Sequence, residues 1–203
     1  SPPAQKLKFN SLYAIFSTGF AGMGMEIILL FAYQNMYGYL YQKIGIIVAL
    51  FMAGLATGAY LMNYSIGRFA VNRHKVLLAL EIFITGFSFS LPFVINGVFR
   101  IQEINFTSGE PIFMVLVLSA GALTGSEFPL VNEILIKDGV SAGRSAGVVD
   151  GLDHLGASIG AACTGTLLVP LVGTIQSSMF IAGLNAVSCL FMGFFLVQKS
   201  REH

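Results

Sequence analysis

Residues 116–173 read LVLSAGALTGSEFPLVNEILIKDGVSAGRSAGVVDGLDHLGASIGAACTGTLLVPLVG. This is an apolar helix carrying Gly121, Gly125, Glu127, Pro129 and Glu133, followed by a short turn with Lys137 and Arg144. A second apolar helix then opens with Asp150, Asp153 and His154. Each run approaches the roughly 20 residues that cross a bilayer. Acids and a histidine inside such runs are costly, so they mark a site or a buried pair. Small residues four apart, Gly121/Gly125 and Gly156/Gly160, let helix backbones approach closely. The rest of the chain is expected to pack around this hairpin.

Composition agrees with a membrane setting. The chain is 55% hydrophobic and only 10% charged, with a mean hydropathy of +0.78, whereas soluble domains carry roughly 25% charged residues. The 23 glycines point the same way, since Gly is more frequent in membrane helices than in soluble ones. A net charge of +1 without a Lys/Arg-rich run argues against nucleic acid as a partner. Cys163 and Cys189 fall within apolar spans and read as small core residues rather than a disulfide framework. The first apolar run is too long for a signal-peptide core, and no cleavage motif follows it. The chain opens Ser1-Pro2-Pro3 rather than with Met, which points to a piece of a longer polypeptide.

Working outward from the hairpin, the sequence predicts six spans near 10–34, 40–63, 76–98, 112–135, 148–171 and 175–197. Turn and charge signals separate them at Gly38, at 67–75, at 102–111, at 137–147 and at Gly173-Thr174. Pro111 suits the first turn of the fourth helix. Pro92 and Pro129 lie inside spans and should kink them, with neighbours taking up the freed carbonyls. If every segment crosses once, Lys6, Lys8, Arg68, Arg73, Lys75, Lys137, Arg144, Lys199 and Arg201 share one side, leaving Lys43 and Arg100 on the other. By the positive-inside rule both termini are then cytoplasmic, and a bacterial inner (plasma) membrane is the expected location. Tyr33, Tyr37, Tyr39 and Tyr41 cluster at the first outer turn, as an interfacial belt would. Asn105-Phe106-Thr107 forms a glycosylation sequon on the outer loop, without meaning in a bacterial protein.

Two motifs recur in order. Ala21-x-x-Gly24-x-Glu26 is echoed by Ala122-x-x-Gly125-x-Glu127, and Gly54-x-x-Thr57-Gly58-x-x-Leu61 by Ala161-x-x-Thr164-Gly165-x-x-Leu168. Helices 1–3 and 4–6 therefore read as copies. With three spans per copy, the second is inserted upside down. Such 3+3 inverted repeats characterise secondary transporters, whose sites lie near the midplane at the repeat interface. Chance likeness among Gly- and Ala-rich helices is the competing explanation.

The candidate substrate-binding residues are Glu26, Glu127 and Asp153, with Asp150 and His154 as a proton relay. Positions 150, 153 and 154 share a helix face, and a carboxylate beside a histidine can hold or pass a proton in the physiological range. The competing reading is structural. Glu81, Glu133 and Asp150, near the cytoplasmic ends, would pair with Arg68, Arg73, Lys75 or Arg144, while Asp153 and His154 would lock helices by hydrogen bonding. No phosphate loop, Cys-x-x-Cys or His-x-x-x-His occurs, so no cofactor, structural zinc or other metal is expected. Nor is a nucleophile placed for a catalytic triad, which leaves no catalytic residue to name.

The chain resembles the membrane domain of the fused spermidine-synthase-like proteins, whose helices are similar to half of a major facilitator superfamily transporter. The residues that carry the resemblance are Gly19-Phe20-Ala21-Gly22 with Glu26, and Ala53-Gly54-Leu55-Ala56-Thr57-Gly58. They continue with Gly125-Ser126-Glu127-Phe128-Pro129-Leu130, Asp153-His154-Leu155-Gly156-Ala157 with Gly160-Ala161, and residues 167–173. The resemblance covers nearly the whole chain as a single membrane domain, 1–203, with repeats near 10–98 and 112–197. It implies an all-α polytopic fold. Tyr64 stands where the superfamily has an aspartate, and the chain lacks the acidic, Gly-rich loop of the aminopropyltransferase domain, so enzyme activity does not carry over.

Two functions follow as expectations. One is a half-transporter, in a homodimer or beside a second membrane half, with a proton-linked acidic site for a small cation such as a polyamine. The other is a membrane anchor or scaffold for a soluble synthase-like or redox partner, in which the acids only lock helices.

Overall fold

The computed structural model describes residues 2–38, 40–68, 72–104 and 109–201. Tyr39 and the Asn105-Phe106-Thr107 sequon lie outside the described residues. Among those described the chain is all-α, without a strand. The helices are α1 (Pro2–Tyr37), α2 (Leu40–Arg68), α3 (Arg73–Ile104), α4 (Gly109–Gly125), α5 (Glu127–Lys137), α6 (Ala142–Cys163) and α7 (Val169–Arg201). A π-helical turn, Thr164–Leu168, joins α6 to α7. Five helical segments among the described residues are long and apolar enough to cross a membrane: Lys8–Tyr37, Lys43–Arg68, Arg73–Ile101, Gly109–Lys137 and Ala142–Gln198. These are the dimensions of a membrane-spanning helical protein.

Pro92, Pro129 and Pro170, inside the apolar segments, act differently. Pro92 lies within α3 without ending it. Its ring leaves the Ser88 carbonyl, four residues back, without a helical donor. The Ser178 hydroxyl of α7 donates to that carbonyl instead, so a neighbouring helix satisfies the freed group. Pro129 interrupts the fourth segment at Ser126, between α4 and α5. Pro170 follows the π turn, in which the Val169 N–H reaches back five residues to the Thr164 carbonyl. A π turn absorbs one extra residue without breaking the helix.

The longest segment reverses at Gly173, whose φ of 84° and ψ of 173° are not helical. A side chain disfavours that left-handed φ, so glycine suits the position. Before it, Gly156 and Gly160 of α6 lie against Phe16 and Phe20 of α1, and the two helices run parallel. After it, Ile181 lies against Gly24 and the Phe191 carbonyl accepts from Asn10. The later part of α7 is therefore antiparallel to α1.

The hairpin of residues 116–173 is not the centre of the bundle. That place belongs to α1, whose most apolar window is 72% buried against 22% for α2. Its C-terminal end is a core of aromatic rings rather than an exposed belt. Tyr33 and Tyr37 are buried, and the Tyr33 ring lies 4.6 Å from Tyr37 and 5.3 Å from Phe113 between centroids. Only Tyr41, among the described tyrosines of that cluster, is exposed.

Glycines bring two helix pairs into backbone contact. A Cβ on Gly54 or Gly58 of α2 would strike the carbonyl of Leu118 or Ala122 in α4, and one on Gly121 or Gly125 would strike that of Phe51 or Leu55. In the α1–α6 pair, a Cβ on Gly156 or Gly160 would strike the carbonyl of Phe16 or Phe20, and one on Gly19 that of Asp153. The two pairs share one register. Phe16–Gly156 corresponds to Leu118–Gly54, Phe20–Gly160 to Ala122–Gly58, and Gly19–Asp153 to Gly121–Phe51, all at a constant sequence offset.

Candidate functional site

Between the two glycine-tight pairs lies a cleft of about 400 Å³, bounded by α1, α2, α4, α5 and α6. Its floor is made of small residues, among them Gly19, Gly22, Ala56, Gly125 and Ala157. Because these lack bulk, the space between the helices stays open. The polar groups on its wall are Thr18, Thr124, Asp150 and Asp153. Thr124 is occupied within its own helix, donating to the Ala120 and Gly121 carbonyls at 3.1 and 3.0 Å. Asp153 is partly buried, and among the described residues no Lys or Arg forms an ion pair with it. A cleft of this size suits a small ligand, and two carboxylates on an otherwise mostly apolar wall favour a cationic one.

Glu127 does not line the cleft; it lies behind Thr18. It is fully buried, and the Thr18 hydroxyl donates to its Oε2. Its Oε1 has no hydrogen-bond partner. Thr18 thus touches the cleft on one side and Glu127 on the other. Asp153 and Glu127 lie against neighbouring residues of α1, Gly19 and Thr18.

Glu81 is the acid whose place the sequence reading missed. It does not pair with a basic residue at the helix end. It is fully buried and accepts a hydrogen bond from Ser188 of α7 at 3.0 Å, while its Oε2 has no partner. The signal was present in the helical spacing: Leu77, Glu81, Ile84, Ser88 and Leu91 repeat at intervals of three and four and are all buried, which puts Glu81 on the inward face of α3.

The other acids divide by location. Glu26 is buried, with no partner for its Oε2, and it is not among the residues lining the cleft. The Thr164 hydroxyl, at the start of the π turn and over Gly24, is likewise without a partner. Asp150 stands exposed on the cleft wall. His154 is exposed one turn further on, its Nδ1 3.0 Å from the Asp150 carbonyl and 3.5 Å from Oδ1. Asp150 and His154 therefore meet each other, while Asp153 lies against Gly19 and Glu127 against Thr18 of α1. Glu133 pairs with Lys137 at 3.1 Å rather than with a residue of another helix.

Among the described residues no three His, Cys, Asp or Glu side chains gather in a metal-binding arrangement. Cys163 and Cys189 are free, and Cys189 Sγ lies 3.8 Å from the Thr85 hydroxyl. Comparison with protein-family models, curated proteins and solved structures found no match. The chemistry open to this site is electrostatic: holding a cation in the cleft and a proton behind it.

Proposed function

We propose that the chain is a six-span membrane domain with a 3+3 inverted repeat, similar to half of a major facilitator transporter and to the membrane domain of the spermidine-synthase-like proteins. It binds a small organic cation such as a polyamine and couples that binding to a proton. The observation that carries this reading is Asp153, a carboxylate without a basic partner on the wall of a 400 Å³ cleft. Glu127 lies one hydroxyl away from the same cleft. Asp150 and His154 form the proton relay at its mouth, and Glu26 is a second buried acid of the first repeat.

Three observations support the repeat and the span count. Chain reversal at Gly173 divides the longest apolar segment into two crossings. The α1–α6 and α2–α4 pairs share one register, as copies related by inversion would. The third helix of each copy, α3 and the later part of α7, pack against each other through Ser88–Ser178 and Glu81–Ser188. That register aligns Glu127 with Met25 rather than with Glu26. The two glutamates then differ by one position, about 100° around the helix, which agrees with Glu127 backing the cleft while Glu26 does not line it. Likewise Gly54 and Gly58 align with Gly156 and Gly160, not with Ala161 and Gly165.

Helices α2 and α6 do not touch each other, so the cleft lacks a wall between them. A second copy of the chain, or a second six-helix half, supplies that wall in the transporting form. Both termini lie on the cytoplasmic side of a bacterial inner membrane in this arrangement.

The test is thermal unfolding of the purified protein in detergent with and without spermidine. Binding to the folded state alone adds about 2.7 kcal/mol at a ligand concentration of 100 Kd, so the midpoint rises. Asp153→Asn removes that rise while the ligand-free midpoint stays near wild type. If spermidine, putrescine and divalent cations all leave the wild-type midpoint unmoved, the acids serve only to hold helices. The chain is then an anchor or scaffold for a synthase-like or redox partner.

A further inference from the structure

We infer that the cleft takes a cation with one charged group and an apolar body, an arylalkylammonium in chemical class, in preference to a polyamine. The inference deepens the function proposed above and rests on that reading for the cleft being a ligand site. It follows from the way charge and bulk are distributed around the cleft. Negative charge stands on one side only. Asp150 and Asp153 both belong to α6, and among the described residues no charged side chain lines the cleft from α1, α2, α4 or α5.

The two acids are not equivalent. Asp150 is exposed, and His154 Nδ1 lies 3.5 Å from its Oδ1, so that carboxylate has a basic neighbour of its own. Asp153 is the one left to a ligand. A Cβ on Gly19 would come within 2.8 Å of its Oδ1, so the carboxylate is set against the small-residue floor, where the lack of bulk leaves room for one charged head group. Bulk lies on the other side. Helices α2 and α6 flank the cleft without touching each other, and α2 presents Phe51, Met52 and Leu55 to it, joined by Phe128 of α5. A second or third ammonium, as in spermidine, would lie against these side chains without an anion and would lose its hydration at a large cost. An aromatic body gains from burial in the same place, and the thioether of Met52 adapts to its shape. Spermidine is then held through one terminal ammonium alone, with the rest of its length unrewarded.

Calorimetric titration of the whole chain in nanodiscs of uncharged phosphatidylcholine, at neutral pH and physiological ionic strength, tests this directly. The probes are 2-phenylethylammonium, its neutral counterpart 2-phenylethanol, and spermidine. Titration of the Asp153→Asn protein measures what partitions into the lipid. 2-Phenylethylammonium should bind about tenfold more tightly than spermidine, because it buries a ring that spermidine lacks. 2-Phenylethanol should show no binding beyond partition. Spermidine binding as tightly as the aromatic amine, or more tightly, overturns the inference. So does 2-phenylethanol binding as well as the amine.

Phe128→Ala should weaken 2-phenylethylammonium severalfold and leave spermidine unchanged; an equal loss for both overturns the role of the apolar wall. Should that variant fail to fold, Met52→Ala, at an exposed position of α2, reads the same contrast. Failure here is separable from failure of the proposed function. Spermidine binding more tightly than the aromatic amine, and lost in Asp153→Asn, rejects only the preference for an apolar body. Absence of binding by either cation rejects the cleft as a ligand site, and the inference with it.

Discussion

The Ser178 hydroxyl donates to the carbonyl of Ser88, the group that Pro92 deprives of its helical donor. A proline in mid-helix is thereby compensated from a different helix, and the α3–α7 contact gains a polar tie at that point. The net value of such a bond within a membrane protein is about 1 kcal/mol. Ser178→Ala should lower unfolding stability by about that amount. Pro92→Ala restores the internal donor, so Ser178→Ala should cost much less in the Pro92→Ala background. A double-mutant cycle by thermal unfolding in detergent reads the coupling; an equal cost in both backgrounds rejects it.

Glycines in this bundle fall into two classes, and substitution should separate them. Gly58 faces the Ala122 carbonyl so closely that a side chain must push the helices apart, whereas nothing lies near Gly86. Gly58→Val should destabilise by about 1–3 kcal/mol through overpacking. Gly86→Ala, in a helix interior with open space around it, should stabilise by about 0.5 kcal/mol. Opposite signs in the two unfolding midpoints are the expected result.

At the C-terminal end of α1, Lys43 of α2 and Tyr33 of α1 both meet Glu110 of α4, at 2.8 and 3.0 Å. Both charged side chains remain partly open to solvent, 30% and 26% exposed, so the ion pair is worth no more than about 1 kcal/mol. A Lys43→Met/Glu110→Gln cycle should give a coupling of that order, smaller at high salt. A coupling unaffected by ionic strength would mean that the contact is not electrostatic.

His154 is exposed and meets only Asp150 among the charged groups that pair with it. His154→Ala should therefore leave unfolding stability within about 0.5 kcal/mol of wild type, as surface substitutions do. A larger loss would show His154 to be a helix-locking group. With stability unchanged, any effect of His154→Ala on the spermidine-induced shift belongs to ligand binding.

Much of the architecture was legible because membranes leave a coarse imprint. Apolar runs separated by Gly38, Arg68–Arg73 and Gly173 marked where helices end, and the glycine spacings marked where they touch. The central position of α1 was not legible. A helix apolar on every side looks the same whether protein or lipid surrounds it, and the acids of the 116–173 hairpin drew attention away from it. Glu81 was misplaced because its distance from the helix end was weighed above its helical phase, which aligns it with Leu77 and Ile84. Glu127 and Asp153 were legible as costly residues, but Thr18 was not. An ordinary threonine becomes notable only once its hydroxyl is seen to bridge a cleft and a buried acid. The π turn ahead of Pro170 left no sequence signature beyond the proline itself.

Backbone contact at the glycines also governs how this molecule can deform. Helices that meet carbonyl to Cα have no side-chain layer to repack, so α1 with α6, and α2 with α4, each behave as one stiff body. Any widening of the space between them must then come from the two bodies rocking over the looser α1–α4 seam at Gly22 and Thr124. An opening between the pairs would arise by tilting two planks, with every helix inside each plank keeping its neighbour.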